Sequence, residues 1–332
     1  MSVTHRLAAI GLRHGHAHDL IKGLTKLGSV ELIALAEDDE ASRRQAETRY
    51  EVTGYQDYRE LLRQETVDIV TVAAMNNEKA DVIPECIRQG KHVLADKPLV
   101  ISLEDLAEIR NALDGTDSVL SMNLALRFSP AYLRAREIVD EGRIGKPVAF
   151  VGMASHKLLP ETRKIWELDS RLNGGILVDV GVHQIDLARW MIGSEIEEIS
   201  AYRSNRKFTQ IENFFDNAEI VSRFRCGAVA MLTADWLRDE SWEAHSESRF
   251  WIIGTEARLE ADRTRKTIIL SSPGNYREEV QVPDYGGTVS TDFIEGIEGR
   301  PRSITNDEVL RSMAAALEAE RAAQLGKMAR VE

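Results

Sequence analysis

The chain is poor in cysteine, in long apolar runs and in positive charge, and each shortage excludes something. Only Cys86 and Cys226 occur among 332 residues. Without a paired spacing they make no disulfide framework, and both read as reduced core or near-core residues. No uninterrupted apolar stretch is long enough to span a bilayer. The strand-like Leu7-Ala8-Ala9-Ile10 comes so early that a signal peptide has no room before it, so a cytoplasmic protein is expected. Lys and Arg number 42 against 54 Asp and Glu, a net charge of −12. That balance disfavours nucleic acid or an anionic membrane as the main partner, while allowing a local basic pocket.

What is present is globular: 43% hydrophobic and 29% charged residues, in a length sufficient for two domains with separate cores. The first third alternates. Strand patterns at 6–10, 30–36, 67–74, 92–95 and 118–122 are separated by helical patterns at 17–27, 41–50, 58–64, 81–89 and 103–113. Gly28 and Gly90 stop two of those helices. This order predicts a doubly wound parallel sheet with helices on both faces. Its ligand site belongs at the strand carboxyl ends, at Gly11, Glu37, Ala74 and Asp96. The domain boundary is expected near Met122, giving a dinucleotide-binding domain over 1–122 and a substrate and oligomerisation domain over 123–332.

The second part opens with a helix at 130–141 and a strand at 147–155, followed by a polar loop over 156–173. Strand-like runs then recur at 196–204, 214–225, 228–236, 249–253, 258–260 and 267–271. They predict a mostly antiparallel sheet with one face needing a cover, and hence a homodimer or homotetramer. A helix over 306–325 ends the chain and is able to pack back on the first domain.

The first strand-to-helix turn reads Gly11-Leu12-Arg13-His14-Gly15-His16-Ala17-His18. A dinucleotide fingerprint, G-x-G-x-x-G with an acidic residue roughly 20 residues on, belongs at this place. Gly11 matches, Arg13 and His16 replace the second and third glycines, and Gly15 sits one place early. Arg13 can hold phosphate instead, assisted by the amides of the turn at His14 and Gly15. Glu37 is the expected acceptor for ribose hydroxyls, and Asp38 after it favours NAD over NADP. The three histidines of the turn suggest a metal. Their spacing fits neither a helical pair nor a metalloprotease helix, so no metal is expected.

Two further stretches carry chemistry. Gly174-Gly175 introduces a helical pattern in which Asp179 and His183 are four apart and share a face. A carboxylate beside an imidazole is an acid/base pair. Far upstream stands Asp96-Lys97-Pro98 at a strand end. Lysine, aspartate and histidine brought together would make a hydroxyl-oxidising site.

With Gly90-Lys91-His92-Val93-Leu94-Ala95-Asp96-Lys97-Pro98-Leu99, then Gly174-Gly175 with Asp179, His183 and Asp186, and Arg127-Phe128-Ser129-Pro130, the chain resembles the glucose–fructose oxidoreductase/inositol dehydrogenase (Gfo/Idh/MocA) family over nearly its whole length. The resemblance implies a Rossmann domain followed by an α/β domain with an open-faced sheet. It implies NAD(P)-dependent oxidation of a secondary alcohol on a sugar, cyclitol or sugar acid. It also brings Asn76 and Asp96 to the cofactor, beside Lys97. Two departures stand out: Lys79 replaces the His of the family's Asn-x-x-His, and Asp96 replaces a Glu.

In the implied mechanism His183 is the general base, Asp179 orients it, and Lys97 binds the reacting oxygen. Arg127, His156 and Trp166 are candidate substrate contacts, with Lys157, Arg163 and Lys164 of the same polar loop able to meet an acidic group. Two rival functions fit the altered loop: a non-catalytic sensor, and an enzyme whose tightly held NAD serves a net non-redox reaction on a glycoside.

Overall fold

The computed structural model describes residues 5–331. It divides into two compact units. One comprises the described residues up to Asn123 with Gly287–Arg311; the other comprises Leu124–Gly286 with the described residues from Ser312 onward.

In the first unit, β1 (His5–Ile10), β2 (Val30–Ala36), β3 (Thr53–Tyr55), β4 (Ile69–Val72), β5 (His92–Ala95) and β6 (Leu120–Met122) form one sheet in the order 3-2-1-4-5-6. Every pairing in it is parallel. Helices α1 (His16–Thr25), α2 (Glu40–Tyr50), α3 (Tyr58–Gln64), α4 (Lys79–Arg88) and α5 (Leu103–Leu113) alternate with the strands. The local reasons are in the sequence. All four residues of β4 are buried and all four are β-branched, the pattern of a central parallel strand. Asp39, Asp57 and Ser102 cap their helices by accepting from Ser42, Arg59 and Asp105 amides. The short β3 has no counterpart in the sequence reading, because three residues are too few to show a period. The order reverses between β1 and β4, which makes the ends of those strands the switch-point crevice.

The second unit holds α6 (Pro130–Asp140), α7 (Ser170–Asn173), α8 (Ile176–Asp179) and α9 (Gly181–Ile192). Its nine-stranded sheet is built from β7 (Pro147–His156), β8 (Ile196–Ser204), β9 (Asn217–Phe224), β10 (Val229–Asp235), β11 (Ser246–Gly254), β12 (Arg258–Asp262), β13 (Thr267–Ser272), β14 (Asn275–Val280) and β15 (Ala329–Arg330). The order is 14-13-12-11-7-10-9-8-15, antiparallel except for β7 beside β10. Along β9, Ala218, Ile220, Ser222 and Phe224 are buried, while Glu219, Val221 and Arg223 alternate outward. One face of the sheet is therefore packed and the other is open. Helix α9 packs against β7 and β10.

The last two helices are α10 (Val289–Ile297) and α11 (Asn306–Leu325), with β15 following them. Asn306 accepts from the Leu120 amide and donates to the Ser118 carbonyl, at 2.9 and 3.0 Å. That closes the otherwise bare edge of β6. Cys86 is buried, and burial pushes its thiol up to about 12; Cys226 is exposed on a turn, not the near-core residue its neighbours suggest.

Candidate functional site

Each unit presents one set of candidate groups. In the first, Gly11 follows β1 with φ +80°, and a Cβ there would stand 2.2 Å from the Ala74 nitrogen. Only glycine fits that crossing, so the first position of the fingerprint is kept for a steric reason. Gly15 needs no such freedom: its φ is −57° and nothing surrounds it.

Glu37 is where the sequence places it, at the end of β2, but its surroundings were not foreseen. Its carboxylate accepts from the Leu12 amide at 2.7 Å and the Asp39 amide at 3.1 Å, and pairs with Arg13 at 3.0 Å. Arg13 also pairs with Asp38 and reaches Glu78 at 3.8 Å. The guanidinium expected to hold phosphate is thus committed to an acidic group at the ribose end. Burial raises the Glu37 carboxyl above its ordinary range, and the contact with Asp38 adds to this. Asp38 is lowered, chiefly by its bond from Glu37. These residues line a cavity of about 470 Å³ that also includes Gly11, Tyr58, Arg59 and Asp81. Acidic groups outnumber basic ones around it, which suits a ribose with free hydroxyls better than one carrying a phosphate.

Asp96 directly follows β5 and is 3% exposed. His16 Nδ1 lies 3.0 Å and His14 Nδ1 3.3 Å from its carboxylate oxygens, and Asn123 donates to it at 3.3 Å. Burial by itself would raise this carboxyl; the His14 and His16 contacts and the Lys79 charge hold it well below the usual range. His18, the third histidine of the turn, points elsewhere, with Nδ1 2.7 Å from the Tyr50 hydroxyl. Lys79 is 1% exposed and its ammonium donates to the carbonyls of Asp96 and Pro98, both at 2.9 Å. It ties down both sides of Lys97, itself half-buried. Asn76 is buried in the turn after β4. Sequence reasoning noticed Lys79 only as a departure; a buried lysine is legible only once the fold encloses it.

In the second unit the helical pattern from Ile176 is interrupted. It forms α8 and α9, joined at Val180 (φ −104°, ψ −43°), so Asp179 ends one helix and His183 lies in the first turn of the next. Gly174 and Gly175 both have positive φ and introduce α8. From Asn173 to Arg189 every residue is buried except Asp179 and His183. A buried segment that leaves two polar side chains accessible, four apart, is the best mark of function on this unit.

Four candidate substrate contacts, Arg127, Trp166, Lys157 and Arg163, are buried or engaged internally. Arg127 is 1% exposed, and its guanidinium meets Asp186 through two bonds of 2.8 and 2.6 Å. It is a core ion pair, carried inward by the 3₁₀ turn Ala125–Phe128 rather than by a strand end. Trp166 is buried in a short 3₁₀ turn. Lys157 donates to the Trp242 carbonyl, and Arg163 donates to the Leu158 carbonyl and pairs with Glu167, so these cations are engaged internally. His156 ends β7 with its ring 5.4 Å from Trp236 and 6.0 Å from His245. Trp236 and His245 were missed, since β10 and β11 bring them to His156 from 80 or more residues away.

A six-stranded 3-2-1-4-5-6 parallel sheet with an acidic β2 end defines a dinucleotide-binding Rossmann domain. The chain belongs to the Gfo/Idh/MocA oxidoreductases: the sequence model of the oxidoreductase family with NAD-binding Rossmann fold matches residues 6–124, and that of the GFO/IDH/MocA C-terminal domain matches 132–260. The chain is 28% identical over 271 residues to myo-inositol 2-dehydrogenase of Thermotoga maritima, covering 80% of this chain and 77% of that one. It is 30% identical over 282 residues to 1,5-anhydro-D-fructose reductase of Ensifer adhaerens, covering 82% of each. A levoglucosan dehydrogenase in complex with NADH and L-sorbose shares the fold, with a TM-score of 0.86, 18% identity, and 99% of each chain covered. The first unit is accordingly an NAD-binding domain, and the protein is an oxidoreductase of that family.

Proposed function

We propose that this protein moves a hydride between NAD and a secondary alcohol of a sugar, cyclitol or sugar acid. The first unit serves as the cofactor domain, and the second as the substrate and oligomerisation domain. The single observation that carries the reading is the accessible Asp179–His183 pair in an otherwise buried segment. His183 takes the hydroxyl proton, since imidazole titrates near neutrality. Asp179 orients the ring and balances its charge. Lys97 stabilises the developing alkoxide as a cation, and Lys79 fixes the Lys97 backbone. NAD supplies the hydride acceptor. Gly11, Glu37, Asn76 and Asp96 belong to its binding surface, with Glu37 accepting from the ribose and NADP disfavoured by Asp38 and Glu78. The names of the relatives support cyclitols and anhydro sugars as the first substrates to try. His156 and His245 offer ring surface for a sugar face, with the buried Trp236 ring against His156.

Oligomer formation through the open sheet face is part of the same reading. Val221, Met231, Val151 and Trp251 are consecutive partners across β9, β10, β7 and β11. Val221 is 51% and Met231 52% exposed, an apolar row suited to a second copy of the chain. Among the described residues no helix is long and apolar enough to cross a membrane.

The test is NADH production on a panel of inositols, anhydro sugars and sugar acids, with wild type, His183→Ala and Lys97→Ala. Loss of acid–base help costs about 10²–10⁴-fold in turnover. Near-native turnover in either variant sinks the residue assignment. NAD that stays bound with no net NADH release would favour the non-redox glycoside reaction, and absence of NAD binding would favour the sensor.

A further inference from the structure

His14, His16 and Asp96 place three metal-binding atoms within 4.8 Å of one another. The two histidines stand on the turn before α1 and at its first residue, and the carboxylate reaches them from the end of β5. Donors about 2.0–2.1 Å from a tetrahedral zinc ion stand roughly 3.3 Å from each other. The observed imidazole-to-carboxylate separations are 3.0 and 3.3 Å.

The hydrogen bonds available to His14 Nδ1 compete with one another. The His16 amide donates to His14 Nδ1 at 3.3 Å, which requires a lone pair on that nitrogen. The same nitrogen faces a carboxylate oxygen of Asp96. If Nδ1 carries a proton for Asp96, the His16 amide loses its acceptor; if it does not, two acceptors face each other. A cation between His14 Nδ1 and Asp96 turns the meeting of two acceptors into two metal–ligand bonds, and takes the lone pair from the long 3.3 Å contact with the His16 amide. The outer contacts are also those of a ligand: Asn123 donates to one Asp96 carboxylate oxygen, and Lys79 bonds the backbone carbonyl rather than the carboxylate.

We propose that His14, His16 and Asp96 bind one divalent first-row transition metal ion of the zinc class, and that this ion anchors the dinucleotide pyrophosphate in place of the two missing loop glycines. Two imidazoles and one carboxylate select such an ion over Mg²⁺ or Ca²⁺. Three protein ligands leave a position open for a phosphate oxygen. The ion sits at the start of α1, where the pyrophosphate of a Rossmann domain belongs. One carboxylate leaves a doubly charged ion under-neutralised there, beside the positive end of a helix and the Lys79 ammonium. An anionic phosphate supplies the missing charge, so metal and NAD reinforce each other. The expectation of no metal rested on spacing along the chain, which cannot show Asp96 arriving from 80 residues away.

The test uses the full chain, freed of metal with a chelator and titrated calorimetrically with ZnCl₂ and with MgCl₂. One equivalent of zinc is expected, bound at least tenfold more tightly than magnesium. His16→Ala and Asp96→Asn lose it and His18→Ala keeps it. His16 is part-exposed, so His16→Ala decides the matter if Asp96→Asn fails to fold, with circular dichroism confirming each fold. NAD should raise zinc affinity about tenfold, and zinc should raise NAD affinity by the same factor. Zinc uptake below about a fifth of an equivalent, or uptake retained in His16→Ala, overturns the metal site. Zinc affinity indifferent to NAD overturns the phosphate anchor. None of these readings needs a substrate, so they stand apart from the test of the oxidoreductase reading.

Discussion

Arg127 and Asp186 meet in the interior of the second unit through two parallel bonds, each residue 1% exposed. Ser312 donates to the same carboxylate at 2.8 Å, and Arg189 in turn donates to Ser312 at 2.7 Å. The hallmark arginine and the last aspartate of the signature segment are therefore one structural device. They hold the 3₁₀ turn at Ala125–Phe128 against α9, the helix that carries His183.

Breaking that pair leaves an uncompensated buried charge. Arg127→Ala and Asp186→Asn are each expected to cost about 3–5 kcal/mol in chemical denaturation. Arg127→Lys should not restore wild-type stability, because an ammonium cannot make both bonds in the fixed fork geometry. A fully stable Arg127→Ala with a raised KM would return Arg127 to direct substrate contact.

In the proposed mechanism Lys79 acts through Lys97. Lys79→Met removes two donors and leaves the Asp96 and Pro98 carbonyls without them, a cost of about 1–3 kcal/mol for a buried unsatisfied group. Turnover should fall by more than tenfold while KM changes little, since the loosened turn misplaces the Lys97 cation rather than the substrate. Equal loss in KM and in turnover would mean the substrate itself is displaced.

Cofactor affinity should depend on pH through Glu37. Ribose hydroxyls need an ionised acceptor, and this carboxyl is raised above its ordinary value by burial. NAD affinity therefore falls as pH drops towards that raised value, starting higher than an ordinary glutamate would allow. Glu37→Gln should weaken NAD binding by about tenfold, the loss of one bond to a charged group, and flatten this dependence. Calorimetric titration between pH 5 and pH 8 checks both, and an unchanged profile in Glu37→Gln would assign the titration elsewhere.

Stability should also fall on mild acidification. His18 and His92 are both lowered from their ordinary value, each mainly by burial. His92 Nδ1 accepts from the Val119 amide at 3.1 Å, a bond made by the neutral ring. The unfolded chain then binds protons that the folded chain refuses, so stability is lost as pH falls below about 6.5 towards the folded values. His92→Gln should reduce that slope in Tm measured from pH 7 to pH 5; an identical slope would place the linkage on other groups.

Much of the first unit was legible because its signals are local. Residues 30–36, 58–64, 92–95 and 103–113 form the expected elements within those same bounds, since buried parallel strands and capped amphipathic helices write their period directly into the chain. Gly11 was legible for the same reason: a backbone crossing that admits no Cβ leaves one residue type. The break at Val180 was not, because Asp179 and His183 keep helical spacing across two short helices. Segment 275–280 and helix α10 were overlooked, the first being an edge strand with little apolar content.

By itself, the sequence determined the alternation of strand and helix and the acidic end of β2, and it singled out Lys97, Asp179 and His183 as candidates for the chemistry. Periodicity and motif spacing are properties of neighbours along the chain, so they survive without coordinates. Only the tertiary structure decided which polar groups are already committed. It turned Arg13 towards Glu37, buried Arg127 on Asp186, set Lys79 under the Lys97 turn, and gathered His14 and His16 around Asp96. A charged side chain finds its partner through space, and that partner here lies 17 to 82 residues away.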